Sequence, residues 1–250
     1  MARMWVCIIT MACLCACDSE TLISPFTVGQ LLCGNTHPYT CPSTSPTPWG
    51  IVIYSDQDPQ TSGYYGLAMS IQDVVPGFNG SGSGTVWATA TLQTTDIAAN
   101  NYGIYGGINS QNGNTKLYCS QSGNDCAVPT SAPTTSAFNA CVNYSNGPTL
   151  AGGWYLPSIG EVAQMFVFAQ TQALPLSTTG VQTFNSYWYW SSTQFNASTN
   201  AFNLGNLGFA AVGSNPTTNS FFYGFVDGTQ GSDLKSSTNE GVRCLQALPI

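Results

Sequence analysis

Apolar and polar positions alternate in short runs at both ends of the chain and follow a helical period only in the middle. GIVIYSD, residues 50–56, is short, apolar and rich in β-branched residues, which predicts a strand. GYYGLAMSI at 63–71 predicts the next, and GTVWATATL at 84–92 alternates with period two after a flexible NGSGSG. Residues 98–116 are rich in Gly and Asn and predict irregular chain. After Pro175 come strand-like pieces separated by turns: YWYWSST, NAFNL, SFFYGFV and GVRCLQAL.

Two helices are predicted between these groups. A short one covers 136–144 and carries Cys141. The second has a start signal in LPSIGEVAQMFVFAQTQ, where Ser158 and Glu161 form an S-x-x-E capping box. Ile159, Val162, Phe166 and Ala169 then recur at helical spacing and predict one buried face. Glu161 is read as a cap rather than a catalytic acid. Helices in the middle with strands on both sides predict an α+β fold, two helices packed on short antiparallel sheets.

Composition narrows the function classes. The 250 residues are 43% hydrophobic and only 6% charged, which allows a real core and argues against a disordered chain. The net charge is −7, and only Lys116, Lys235 and Arg243 are basic beyond the first few residues. Clustered Lys and Arg are what neutralise phosphates, so a nucleic-acid partner is not expected, nor a polybasic membrane patch.

The N-terminus reads as an address. Arg3 is followed by an apolar run, Met4 to Leu14, too short to span a bilayer and shaped like a secretory signal. Leu14-Cys15-Ala16-Cys17 resembles a bacterial lipobox, which implies a signal peptide over 1–16 and a lipidated Cys17. The expected localisation is exported and lipid-anchored, at the outer-membrane surface. Residues 17–48, rich in Pro, Ser and Thr, read as a tether with a small disulfide loop, and 49–250 as the ligand-binding domain.

Six further cysteines, Cys33, Cys41, Cys119, Cys126, Cys141 and Cys244, read as disulfides in an exported chain. They allow 15 pairings. Locality favours Cys33–Cys41 and Cys119–Cys126, which leaves Cys141–Cys244. A metal site is disfavoured, because no C-x2-C spacing occurs and His37 is the only His. Asp56 and Asp58 in SDQDP stand at alternate positions, as in hard-cation loops, but the later carboxylate is missing, so a solvated turn is expected. No cofactor is expected. No catalytic role is expected either: His37 lies in the tether, and the serines of WSST have no recognisable base nearby.

GIVIYSD with GYYGLAMS, then GGWYLPSIGEV, YWSST and DLKSSTNEGVRCL occur in one order. That order resembles the domain family at the C-terminus of Legionella collagen-like proteins, over roughly residues 49–247. The resemblance implies a C-type-lectin-like fold, related to the formylglycine-generating enzyme and stapled by disulfides. It also implies the Cys141–Cys244 bond. The same words resemble variable lipoproteins of diversity-generating retroelements, whose surface is rewritten between YWSST and the last strand. GNLGFAAVGSNPTTNS looks like an insertion relative to that pattern.

The stretch NSYWYWSSTQFNASTNAFN, 185–203, joins aromatics to amides and hydroxyls without any charge. Tyr and Trp make large rigid contacts, and Ser, Gly and Asn make adaptable hydrogen bonds, as binding paratopes use. Trp190 is expected to pack inward, with Trp188, Tyr189 and the residues after Thr193 bordering an exposed face. The expected binding residues are Trp188, Phe195, Asn196, Asn200, Asn203, Phe222, Tyr223, Gln230, Ser232, Asp233 and Ser236. The expected function is a surface lipoprotein that binds an unknown protein or glycan ligand. The alternative is an invariant carbohydrate-binding adhesin of the same fold; a degenerate enzyme of the formylglycine-generating type ranks third.

Overall fold

β-branched and large apolar residues at successive positions, without polar alternation, suit a strand buried on both faces. Strand β2, Gly50–Ser55, is such a strand. It pairs antiparallel with β3, Tyr64–Ser70, which pairs antiparallel with β7, Leu245–Pro249. The short β1, Leu31–Leu32, closes the other edge, giving the order β1-β2-β3-β7. The computed structural model describes residues 23–42, 47–75, 84–90, 92, 102–108, 113–126, 136–150, 152–171, 181–182, 184, 188–194, 200–205 and 230–250.

Period-two geometry sorts the apolar residues of this sheet into two cores. Ile51, Ile53, Leu67, Met69, Leu245 and Ala247 meet Ile159, Val162, Met165 and Phe168 of helix α4, Ile159–Thr171. Val52, Ala68 and Leu248 enter a second core with Trp49, Trp154, Trp87 and Trp190. Burying a side chain of this size stabilises by about 1.5–3 kcal/mol, so both faces contribute. The α+β class with antiparallel sheets and disulfides is therefore present. Besides α4, the helices are α1, Pro59–Ser62, α2, Asn114–Ser120, and α3, Ala137–Val142.

The predicted helices are found with their caps. Ser136 caps α3 by accepting from the Asn139 N–H at 3.2 Å. In the capping box of α4, the Glu161 N–H donates to Ser158 Oγ at 3.3 Å, and the Ser158 N–H donates to Glu161 Oε2 at 2.6 Å. The buried stripe of α4 differs from the expected one. Met165 and Phe168 are buried, whereas Phe166 and Ala169 pack only at its edge.

Three further expectations are corrected. Residues 84–92 do not form a strand: the Trp87 N–H donates to Lys235 O at 2.9 Å, and Val86 O accepts from Ala137 N at 2.9 Å. Trp87, Ala88 and Leu92 are buried between other segments. The Gly- and Asn-rich region ends in α2, although its N-cap, Gly113, offers no side-chain acceptor. Tertiary contact overrides the weak local signal, since Tyr118 stacks on Phe138 with ring centroids 4.0 Å apart.

The tether is the third. Its described part, residues 23–42, belongs to the folded domain. β1 pairs with β2, Phe26, Leu32 and Tyr39 are buried, and the Trp49 indole N–H donates to Gly34 O at 2.9 Å. A Pro- and Thr-rich composition looked like linker, but four aromatic rings, Phe26, Tyr39, Trp49 and Trp154, pack edge or face on one another through it.

All three expected disulfides are present: Cys33–Cys41 and Cys119–Cys126, favoured by locality, and Cys141–Cys244, the pair that remained. The last joins α3 to the residue preceding β7 across a separation of 103 residues. Among the described residues no helix is long and apolar enough to cross a membrane. Cys17 lies outside the described residues.

Candidate ligand-binding surface

The second sheet gathers segments that are far apart in sequence. Its order is β4-β5-β6, with β4 at Trp188–Gln194, β5 at Asn200–Gly205 and β6 at Gln230–Leu234, all antiparallel. Trp190 stands opposite Asn203, Trp188 opposite Gly205, Asn200 opposite Leu234 and Phe202 opposite Ser232. Six of the expected binding residues, Trp188, Asn200, Asn203, Gln230, Ser232 and Asp233, thus occupy one three-stranded sheet. Ser236 follows it and is exposed. Phe195, Asn196, Phe222 and Tyr223 lie outside the described residues.

Strand β4 is almost wholly interior. Trp190 is buried as expected, and its indole N–H donates to Thr85 O at 2.8 Å. Trp188 is half-buried. Tyr189 is a correction: it is buried rather than bordering an exposed face, and its hydroxyl donates to the Asp73 carboxylate at 3.0 Å. Two of the three hydroxyls of WSST hold backbone, whereas Ser192 Oγ is buried without a hydrogen-bond partner among the described residues. Ser191 Oγ accepts from the Thr193 N–H at 3.3 Å. Thr193 Oγ1 accepts from the Ile159 N–H at 3.1 Å, one of the unsatisfied donors at the start of α4. The Ser191 carbonyl accepts from the Trp87 indole at 2.7 Å.

Two buried cations brace this sheet. Arg243 pairs with Asp73 at 2.8 Å, donates from Nη1 to Gln182 O at 3.0 Å, and lies 4.4 Å over the Phe184 ring. Lys235 donates from Nζ to Gln194 Oε1 at 2.8 Å and sits 4.7 Å over Trp87. Sequence reading saw these two residues only as part of a small basic count. Their buried roles depend on partners 41 and 170 residues away.

At the end of β6 the ordinary placement of side chains is inverted. Lys235 is 1% exposed, whereas its neighbour Leu234 is 52% exposed. Burying a cation is unfavourable unless it is paired, and an isolated exposed Leu is common. The inversion of adjacent residues is the informative feature, because turning the strand over would satisfy Leu234 and solvate Lys235. Leu234 was not among the expected binding residues.

Elsewhere the charged groups serve the frame. Burial pushes the Glu161 carboxyl up to about 7, although Ser158 N–H, Tyr155 hydroxyl and Gly107 N–H all donate to it. Gly107 must be glycine here, since a Cβ would lie 2.7 Å from Glu161 Oε2. Asp56 accepts from the Asp58 N–H at 2.8 Å and from the Tyr105 hydroxyl at 2.9 Å. Burial alone would raise its pKa, but these bonds and one from Ser62 hold it below the usual value. Among the described residues no group of three or more His, Cys, Asp or Glu could hold a metal ion. The Cys244 sulfur is committed to Cys141.

Compared with known proteins, no family model, no curated protein and no solved structure matches the chain.

Proposed function

We propose that this is an exported, lipid-anchored bacterial surface protein whose C-type-lectin-like domain binds a macromolecular ligand, protein or glycan. The binding surface spans residues 194–236, with β5, β6 and the exposed pair Leu234 and Ser236 on it. The observation that carries this reading is the inversion at Leu234 and Lys235. A protein that holds an apolar side chain outward and a cation inward gives up stability locally, and such departures concentrate at functional sites. The sequence of these strands is nearly uncharged and rich in Asn, Ser, Gly and Gln, and Leu234 and Ser236 are exposed beside it, the chemistry of an adaptable paratope. Binding of this kind needs no cofactor and no reaction step.

Retroelement diversification fits the same division. Among the described side chains, bonds that hold the frame run through β4, Asp73 and Arg243. In the flanking DNA, a near-copy of the codons for 188–244 that differs at adenines is expected beside a reverse transcriptase gene. Its absence would make the surface a fixed one.

Binding is tested by presenting the purified protein to a glycan array and to a panel of host matrix proteins. The expected result is a ligand whose affinity falls about tenfold, roughly 1.4 kcal/mol, in Leu234→Asp at unchanged folding. A ligand held equally by wild type and variant would remove this surface from the reading. Binding confined to glycans would assign the carbohydrate adhesin instead.

A further inference from the structure

The incorporation of residues 26–42 into the fold shortens the distance between Cys17 and the domain. Phe26 is buried, and its carbonyl accepts from the Ser55 hydroxyl at 2.9 Å. Only residues 18–25 therefore separate a lipid on Cys17 from fixed structure. Eight residues reach at most about 28 Å when fully extended. A domain of roughly 220 residues has a radius of gyration of about 17 Å and is about 45 Å across. The link is shorter than the domain is wide, so the domain cannot turn its far side to the bilayer.

The surface beside the attachment point suits a lipid interface. Residues 21–55 contain no Asp, Glu, Lys or Arg, in a chain of net charge −7. Ile23 is 76% exposed; Asn35, Thr36 and Pro38 are exposed in the Cys33–Cys41 loop, whose His37 ring lies 5.5 Å from that of Phe26. An acidic protein can bring such a face to an anionic leaflet without like-charge repulsion. The candidate binding sheet lies elsewhere. β1 and β7 are opposite edges of the four-stranded sheet, three strand spacings of about 4.8 Å apart. The β4-β5-β6 sheet joins on the β7 side, where Tyr189 bridges to Gly241.

We propose that the face formed by residues 23–42 rests on phospholipid headgroups, and that the β5–β6 surface points away from the membrane. This rests on the lipidation of Cys17 in the reading above. The test uses the full lipidated chain in phosphatidylethanolamine–phosphatidylglycerol vesicles with a headgroup energy acceptor. A fluorescent amino acid is placed at Asn35 or at Ser236, leaving the disulfides untouched. Quenching is expected to be strong at position 35 and weak at 236. Inserting about twenty Gly/Ser residues after Glu20 adds a segment whose own average end-to-end distance is roughly 25 Å, and is expected to lower quenching at 35 severalfold. Equal quenching at the two positions of a lipidated chain overturns the orientation alone. Intact mass reads the other premise: an unmodified Cys17 removes the anchor and this orientation with it.

Discussion

Strand β4 and the end of β6 belong to one three-stranded sheet, yet they place their side chains in opposite ways. On β4, Ser191, Ser192 and Thr193 are buried, and hydrogen bonds tie Thr193 and the Ser191 carbonyl to distant backbone and indole groups. At the end of β6, Leu234 faces out while Lys235 is taken inside. The first arrangement is a frame: polar groups are buried because each strand end must satisfy the backbone of its neighbours. The second leaves an apolar side chain in solvent beside a paired, buried cation, and it is the feature on which the proposed binding surface rests. Lys235 then works as an anchor, fixing the strand from behind through Gln194 and Trp87 while its neighbours remain outside.

The frame should fail first and most severely. Replacing Cys141 and Cys244 by Ser opens a loop of about 100 residues and is expected to cost about 4–5 kcal/mol in denaturant unfolding. A shift below about 1 kcal/mol would mean that the frame stands without its staple. Asp73→Asn leaves the Arg243 guanidinium buried with a weakened partner, at a cost of about 3–5 kcal/mol. Adding Arg243→Met is expected to recover much of that loss. If the two losses simply add, the pair is not coupled and the contrast with β6 weakens.

Glu161 supplies a pH test of the frame. Its carboxyl rises from 4.5 to about 7 on folding, mainly through burial. The folded state therefore binds its proton more tightly than the unfolded state. The resulting stabilisation is fully present below about pH 4.5 and is lost as pH rises through about 7, on the order of 3 kcal/mol in all. Thermal unfolding followed between pH 4.5 and 8 should show this decline, and Glu161→Gln should flatten it. An unchanged slope in the variant would assign the pH dependence to another group.

The smallest stability effect belongs to the binding edge. Leu234→Ser is expected to change unfolding by no more than about 0.5 kcal/mol, while ligand capture falls. A large destabilisation would show Leu234 to be part of the core despite its exposure, and the two regions would no longer differ.

Local signals in the sequence were sufficient for the elements whose causes are local. The Ser158–Glu161 box, the Ser136 cap, the β-branched run at 50–55 and the two short disulfide loops each act within about ten residues, and each is present. Period-two alternation at 84–92 misled, because it did not reflect a strand: adjacent Trp87 and Ala88 are both buried against other segments. The Pro- and Thr-rich N-terminal stretch misled for the related reason that composition does not register Phe26 and Tyr39 finding ring partners. For the candidate surface, the sequence identified the segments that now lie side by side, and missed Leu234.

What the chain alone determined is the menu of strands, helices and caps, since hydrogen-bond geometry and side-chain period act over a few residues. Which way β6 faces was decided only by the tertiary structure. Nothing within SDLKSS distinguishes Leu-in from Lys-in; the choice rests on Gln194 and Trp87, which meet the Lys235 ammonium from remote parts of the chain. A buried cation is tolerable only where such partners already wait, and that condition exists only once the rest of the domain has folded around it.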